Sequence, residues 1–222
     1  MKIVCQRENL LAAFQTAVLF TPGRSTPKDV LSHIRLEAQA DKVTLQATDL
    51  DTGAIVQVEG VDVQQPGAAL LPSERLGSLL RESTDAQLGI HAGHGGVTVR
   101  SEHGELRFNT REESEFPTLP SLAEDKYHLI DGRVLRTVIQ RTEFATDTES
   151  TRYALGGVLF ELEPDKLVAV ATDGRRLSKV EAAATAVGGH STGELTTIVR
   201  AASLRAIARA LTDADNEIRM TV

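Results

Sequence analysis

Tryptophan is absent from this 222-residue chain, aromatic residues make up only 4% of it, and it has a single cysteine, Cys5. One cysteine closes no internal disulfide, and the place of Cys5 on an alternating apolar segment marks a buried strand residue. With no histidine near it in sequence, a catalytic thiol is not expected there. Long apolar runs are also missing: no stretch approaches the about 20 residues that a spanning helix needs. The opening Met1-Lys2-Ile3-Val4-Cys5-Gln6 lacks the apolar core of a signal peptide. Residence in the cytosol, with no membrane partner, is the default expectation. Neither common phosphate-binding glycine motif occurs. Positive charge is in deficit, with 24 Lys and Arg against 31 Asp and Glu and a net charge of −7. Taken whole, that balance argues against a nucleic-acid binder, which usually carries a basic surplus.

What is present is a repeat. Leu36-Glu37, Asp41-Lys42-Val43 and Ala47-Thr48-Asp49-Leu50 return as Phe160-Glu161, Asp165-Lys166-Leu167 and Ala171-Thr172-Asp173-Gly174, at a constant offset of 124 residues. That spacing is one of duplicated domains and not of a short solenoid repeat. With 41% hydrophobic residues the chain has enough core for two ordinary domains.

Periodicity fills in the units. Residues 1–6 alternate like a strand, and residues 7–21 place Leu10, Leu11, Phe14, Ala17 and Val18 at helical spacing. A loop with two prolines, Thr21-Pro22-Gly23-Arg24-Ser25-Thr26-Pro27, leads to strands at 33–38, 42–47 and 54–58. The unit then returns: a strand at 68–71, Pro72 at a helix start, an apolar stripe of Leu76, Leu79 and Leu80, and strands at 87–92, 97–101 and 105–109. After the proline-bearing connector Glu115-Phe116-Pro117-Thr118-Leu119-Pro120 the pattern restarts. It predicts a strand at 126–130, a helix at 133–141, strands at 153–162, 166–171, 177–182 and 194–199, a helix at 201–211 and a strand from 218. The expected class is α+β: repeated domains at 1–120 and 121–222, each with two helices packed on antiparallel sheets. The second domain is expected to be incomplete, because counterparts of the strands at 97–101 and 105–109 are missing and would leave an unpaired edge.

The charge is segregated. Arg133, Arg136 and Arg141 lie on the third helix and Arg200, Arg205 and Arg209 on or beside the fourth, with no acidic residue at 132–142 or 200–211. Such a layer suits a polyanion, although arginine stems also solvate the polar face of any amphipathic helix. Arg133, Arg136, Arg205 and Arg209 are expected to share one concave face. Other constellations are weak. His91 and His94 are spaced like metal ligands, but Gly93, Gly95 and Gly96 read as a hairpin turn and no cysteine or clustered carboxylate completes a set. Asp49 and Asp173 recur because the domain recurs, which points to a structural role instead of acid/base chemistry.

Several motifs, read together over the whole chain, resemble the bacterial sliding clamp family, the beta subunit of the DNA polymerase III holoenzyme. Those that carry the resemblance are Glu8-Asn9-Leu10-Leu11, Gly23-Arg24, Ala47-Thr48-Asp49-Leu50, the 115–120 connector and Arg141-Thr142-Glu143-Phe144-Ala145. Most specific are Arg152-Tyr153-Ala154-Leu155-Gly156-Gly157-Val158 and Val170-Ala171-Thr172-Asp173-Gly174-Arg175-Arg176-Leu177. The resemblance implies the DNA-clamp fold: a ring of two subunits with three domains each, helices lining the hole and sheets forming the wall. It implies a processivity factor and not an enzyme, needing no cofactor or metal and no catalytic residue. A third domain is expected to be absent from this sequence.

Implied partners are duplex DNA, held without regard to sequence, DNA polymerase III subunits, the clamp loader and other clamp-motif proteins, with a homodimer in the full-length family. Carried over by position, Arg24 and Tyr153 join Arg133, Arg136, Arg205 and Arg209 as DNA-facing residues. Glu149 and Ala202 stand where basic or polar residues are common in the family, and Ser73 where an arginine often sits. The partner-peptide pocket matches Leu155, Thr172, Gly174, Arg175, Arg176 and Leu177: leucine walls for apolar anchors, a glycine where the peptide approaches, and arginines for an acidic flank. The same residues also read as an ordinary Asp-Gly turn between two strands. Leu106 and Phe108 fall on the edge strand that the family uses for dimer contact, and they read equally as core. The alternative from another class is a short clamp-like interaction protein that binds partner peptides without encircling DNA.

Overall fold

Ile3 and Cys5 are buried between exposed or half-buried neighbours along Lys2–Gln6 (β1), which is the alternation of a strand with one face on a core. The computed structural model describes residues 1–22, 29–93, 95–120, 125–147, 149, 152–193, 195–212 and 217–221. They fall into two units, Met1–Leu119 and Pro120–Val222.

In unit 1, β1 runs into Arg7–Ala17 (α1), which buries Leu10, Ala13, Phe14 and Ala17 on one stripe. The helix then tightens into a 3₁₀ turn at Val18–Phe20, earlier than the periodicity to Thr21 predicts, because the Thr21 N–H and hydroxyl both bond the Val18 carbonyl. Next come His33–Ala38 (β2), Val43–Thr48 (β3), Gly53–Gln57 (β4), Val61–Gln65 (β5) and Gly67–Pro72 (β6). Ser73–Glu82 (α2) follows, then Gln87–Gly93 (β7), Gly96–Arg100 (β8) and Glu105–Phe108 (β9). Two antiparallel sheets result, in the orders β5-β1-β7-β8-β9 and β4-β3-β2-β6. The helices pack on each other, and α1 crosses β3 and β4. Leu10, Leu36, Leu45, Leu70, Leu76 and Leu80 are fully enclosed, each contributing about 1.5–3 kcal/mol of burial.

Unit 2 repeats this plan with Tyr127–Ile130 (β10), Gly132–Thr142 (α3), a 3₁₀ turn at Glu143–Ala145, another at Tyr153–Leu155, and Gly157–Glu163 (β11). Lys166–Thr172 (β12), Leu177–Ala183 (β13), Thr185–Val187 (β14), Thr197–Arg200 (β15), Ala201–Ala210 (α4) and Ile218–Met220 (β16) complete it. Its sheets have the orders β14-β10-β16 and β13-β12-β11-β15, matching β5-β1-β7 and β4-β3-β2-β6 strand for strand. Helix α3 is capped by Asp131, whose carboxylate accepts the Arg133 and Val134 N–H groups at 2.8 and 3.2 Å. Leu135, Val138 and Ile139 of α3 and Leu204 of α4 join Phe160, Leu162, Leu167 and Ala169 in the core.

Two strands go beyond the repeat read from sequence, β5 and β14. Each is an edge strand paired only to the first strand of its unit, so neither carries a clear alternation of buried and exposed residues. The strand expected at 194–199 occupies Thr197–Arg200; Glu194 lies outside the described residues.

Candidate functional site

The β12–β13 turn brings together five of the six expected pocket residues. Thr172 pairs with Leu177 across its base. The Thr172 hydroxyl donates to the Arg176 carbonyl at 2.7 Å and accepts the Gly174 N–H at 3.0 Å. Asp173 Oδ1 accepts the N–H groups of Arg175 and Arg176, both at 2.9 Å. Those two backbone donors, helped by the Arg176 side chain, hold the Asp173 carboxyl below its ordinary range, so it stays ionised as a fixed acceptor. Gly174 is left-handed, with φ +84°, and nothing lies within 4 Å of where a Cβ would stand. The turn's backbone therefore favours the glycine, and the space beside it is open.

Arg176 is held on three sides. Its Nε donates to Asp173 Oδ2 at 2.9 Å, a terminal nitrogen donates to the Phe144 carbonyl at 2.9 Å, and the guanidinium lies 5.5 Å from the centre of the exposed Phe144 ring. Leu177, the first residue of β13, is 66% exposed. Leu155 is half-buried on the 3₁₀ turn before β11, and its carbonyl accepts the Asp147 N–H at 2.7 Å. Phe144, exposed beneath Arg176, went unassigned in the sequence reading; its only signal there was membership of the Arg141–Ala145 motif.

The same turn exists in unit 1. Thr48 donates to the Thr52 carbonyl at 2.6 Å and accepts the Leu50 N–H at 2.9 Å, while Asp49 Oδ1 accepts the Asp51 and Thr52 N–H groups at 3.0 and 2.7 Å. Leu50 has φ 78°, so a leucine occupies the left-handed position that glycine takes in unit 2. Asp49 and Asp173 thus have the shared structural role that their recurrence suggests.

On the helices, Arg133, Arg205 and Arg209 are exposed and Arg136 is half-buried, and α3 packs against α4. The charge count from sequence needs correction at one point. Arg205 donates to Glu143 Oε2 at 2.9 Å, and this acid lies one residue past the acid-free window, on the turn that extends α3. Tyr153 is exposed, its hydroxyl donating to the Ile198 carbonyl at 3.3 Å. Arg24 lies outside the described residues. Glu149 and Ala202 are exposed and Ser73 is half-buried.

At the β9 edge, Leu106 is 44% exposed, whereas Phe108 is 1% exposed and belongs to the core of its own unit. Of this pair, only Leu106 offers side-chain surface. It borders a cavity of about 910 Å³ between α2 and the β8–β9 hairpin, lined also by Leu79, Val99 and Arg107.

The remaining chemistry-bearing groups are satisfied locally. Burial pushes the Cys5 thiol up to about 12, and its Sγ contacts the Leu88 carbonyl at 3.6 Å, which makes it inert. His91 lies on the β7–β8 hairpin, and His94 is outside the described residues. Among the described residues, Asp85, Glu102 and His103 are the grouping with metal-ligand spacing, and sequence reading missed it. The buried Asp85 carboxylate is already engaged within the protein, with His103 Nδ1 at 2.6 Å and the Ser83 hydroxyl at 3.1 Å. No helix among the described residues is long and apolar enough to cross a membrane.

Comparison with known proteins matches both units. Residues 1–120 match the family profile of the DNA polymerase III beta subunit, N-terminal domain, and residues 129–222 that of its central domain. The beta sliding clamp of Chlamydia muridarum is 33% identical over 187 residues, covering 82% of this chain and 49% of that protein. The beta sliding clamp of Escherichia coli K12 is 27% identical over 223 residues, covering 100% and 60%. Among solved structures, the DNA polymerase sliding clamp from Bacillus subtilis superimposes with a TM-score of 0.91 at 24% identity, over 100% of this chain and 60% of that one. The DNA polymerase III subunit beta from Pseudomonas aeruginosa gives 0.87 at 26% identity and the same coverage. The chain thus spans between half and three fifths of the length of these relatives. With both profiles matched in order and the α+β clamp fold repeated in each unit, the chain belongs to the DNA polymerase III beta subunit family, the bacterial beta sliding clamps.

Proposed function

We propose that this chain supplies two of the three domains per subunit of a ring that encircles duplex DNA and tethers the replicative polymerase. The role is a mechanical one, with no bond made or broken. The observation that carries the reading is the charge pattern of unit 2. Helices α3 and α4 carry Arg133, Arg136, Arg141, Arg205 and Arg209 and no acid, in a chain whose net charge is −7. Phosphate contacts from such a layer are sequence-independent and individually weak, so they permit sliding, while topology prevents escape. Arg24 and Tyr153 complete the proposed DNA-facing set. Cytosolic residence fits this role.

The β12–β13 turn is the proposed landing rim for partner peptides from polymerase subunits, the clamp loader and other clamp-motif proteins. Leu177 and Leu155 would take apolar anchors, and Arg175 and Arg176 an acidic flank. The Leu106 edge is the proposed contact for a partner subunit, closing a head-to-tail ring.

Two measurements test this. Anisotropy of a fluorescent random-sequence duplex, titrated over a salt series, should show weakened binding for Arg133→Glu/Arg209→Glu and a slope of log K against log salt shallower by about 2. A peptide with leucine and phenylalanine anchors and an acidic flank should lose binding with Leu177→Ala. An unchanged salt slope would remove the DNA reading. Peptide binding alone would favour a clamp-like interaction protein that does not enclose DNA.

A further inference from the structure

Phe144 is 54% exposed on the 3₁₀ turn that follows α3, yet that turn is firmly held. Its neighbour Ala145 is fully buried, the Ser178 hydroxyl donates to the Arg141 carbonyl at 2.6 Å, and the Thr146 N–H and hydroxyl bond the Glu143 carbonyl at 3.2 and 2.8 Å. Arg176 lies against the ring, its guanidinium carbon 5.5 Å from the ring centre. Asp173 takes Nε and the Phe144 carbonyl takes Nη2, both at 2.9 Å, while Nη1 has no bond among the described residues. The arginine side chain is 59% exposed in this pose, and the next residue is the exposed Leu177.

The duplicated unit shows that the fold does not require this cluster. The 3₁₀ turn at Val18–Phe20 follows α1 as Glu143–Ala145 follows α3, and it places the half-buried Leu19 where unit 2 has Phe144. The β3–β4 turn keeps the same threonine and aspartate bonds but has Thr52 and Gly53 in the places of Arg176 and Leu177. Both turns of unit 1 therefore close without the aromatic, the arginine or the leucine. All three occur together in unit 2, on the rim.

We propose that Phe144 is a positioning residue of the partner rim: its ring holds the Arg176 guanidinium in the direction that donates to a carboxylate on the acidic flank of a bound peptide. The inference rests on the rim reading above and concerns how that rim selects acid. An unrestrained arginine samples many rotamers, and a peptide that uses it must stop that motion. The Phe144 ring stops it beforehand. Because Asp173 neutralises part of the charge, the peptide gains a donor fixed in direction more than a free cation.

The probe is a fluorescent peptide with leucine and phenylalanine anchors, made with a flank of glutamates and again with glutamines in their place. Phe144→Ala keeps the carbonyl that bonds Arg176 and removes only the ring. It should weaken the glutamate form by about 2- to 10-fold and leave the glutamine form unchanged. Phe144→Tyr, which keeps the aromatic face, should bind both forms as the unsubstituted chain does. In an Arg176→Gln chain, adding Phe144→Ala should have no further effect, with thermal midpoints showing that each variant is folded. A second readout needs no peptide: ¹⁵N relaxation at the Arg176 Nε–H should give a lower order parameter in Phe144→Ala. The positioning role is overturned if the peptide binds through Leu177 but folded Phe144→Ala weakens both forms alike or neither, or if the Arg176 order parameter is unmoved. If neither form binds the unsubstituted chain, or Leu177→Ala leaves binding intact, the rim reading itself falls and the proposal with it.

Discussion

Gly174→Ala isolates a backbone effect in the β12–β13 turn. Gly174 sits at φ +84°, and no heavy atom lies within 4 Å of the added Cβ, so the substitution creates no clash. Holding an L-residue in the left-handed region costs about 1–2 kcal/mol, offset in part by about 0.4–1 kcal/mol of lost freedom in the unfolded chain. The expected net loss is about 1 kcal/mol, or a fall of about 4 °C or more in the midpoint of a domain of this size. The assay is direct, because the chain has no tryptophan and both tyrosines, Tyr127 and Tyr153, lie in unit 2. Tyrosine fluorescence during urea unfolding therefore follows this unit alone. A loss below about 0.3 kcal/mol would show that the turn relaxes out of the left-handed region, and one above about 3 kcal/mol that the space beside Gly174 is not open. Gly188→Ala supplies the contrast. It combines φ +65° with a Cβ that would collide with the Asp125 carbonyl oxygen, and it should cost distinctly more than Gly174→Ala in the same assay.

Asp131→Ala removes the side-chain acceptor of two α3 N–H groups and should lower unit 2 stability by about 1 kcal/mol in urea unfolding. Glu143→Gln should leave folding intact, release Arg205 from its acid and steepen the salt dependence of duplex binding by about 1 in log–log slope; no change would mean that Arg205 does not meet phosphate. Buried His190, packed against His128, gives unit 2 a pH dependence. Their Nδ1 atoms lie 2.7 Å apart while His128 Nε2 lies 2.7 Å from the Glu163 carbonyl, so the neutral pair has His128 donating to Glu163 and accepting from His190. Burial, then the nearby His128 and Lys126, lowers the His190 pKa. The unfolded chain thus binds more protons than the folded one, so this stability is present above the unfolded histidine value of about 6.5 and is lost as pH falls below it. Urea midpoints at pH 7.5 and 5.5 should differ in that sense for the unsubstituted chain, and by less for His190→Gln.

The helices and most strands are legible in sequence because each buries a stripe or a face that repeats locally, as Leu76 and Leu80 do on α2 and Ile3 and Cys5 do on β1. The β12–β13 turn is legible for a different reason: its threonine and aspartate bond to backbone within the turn, so the motif carries its own geometry. Strand β5 escapes because its residues never become buried enough to alternate clearly. The Phe108 burial and the Arg205–Glu143 pair escape because each depends on what another element presents. Gly53 shows the limit most plainly. A residue without a side chain announces nothing, and the leucine packed over it, Leu119, belongs to the connector at the other end of the unit.

Cys5 sits on a strand hydrogen-bonded on both sides, to β5 and β7. Its thiol reacts with a solution disulfide reagent only after that central strand has been uncovered, and it is the sole thiol in the sequence. At saturating reagent the labelling rate equals the opening rate of unit 1, and at low reagent it reports the opening equilibrium. The native chain therefore contains its own stopwatch for the lifetime of its first domain, with no engineered label needed.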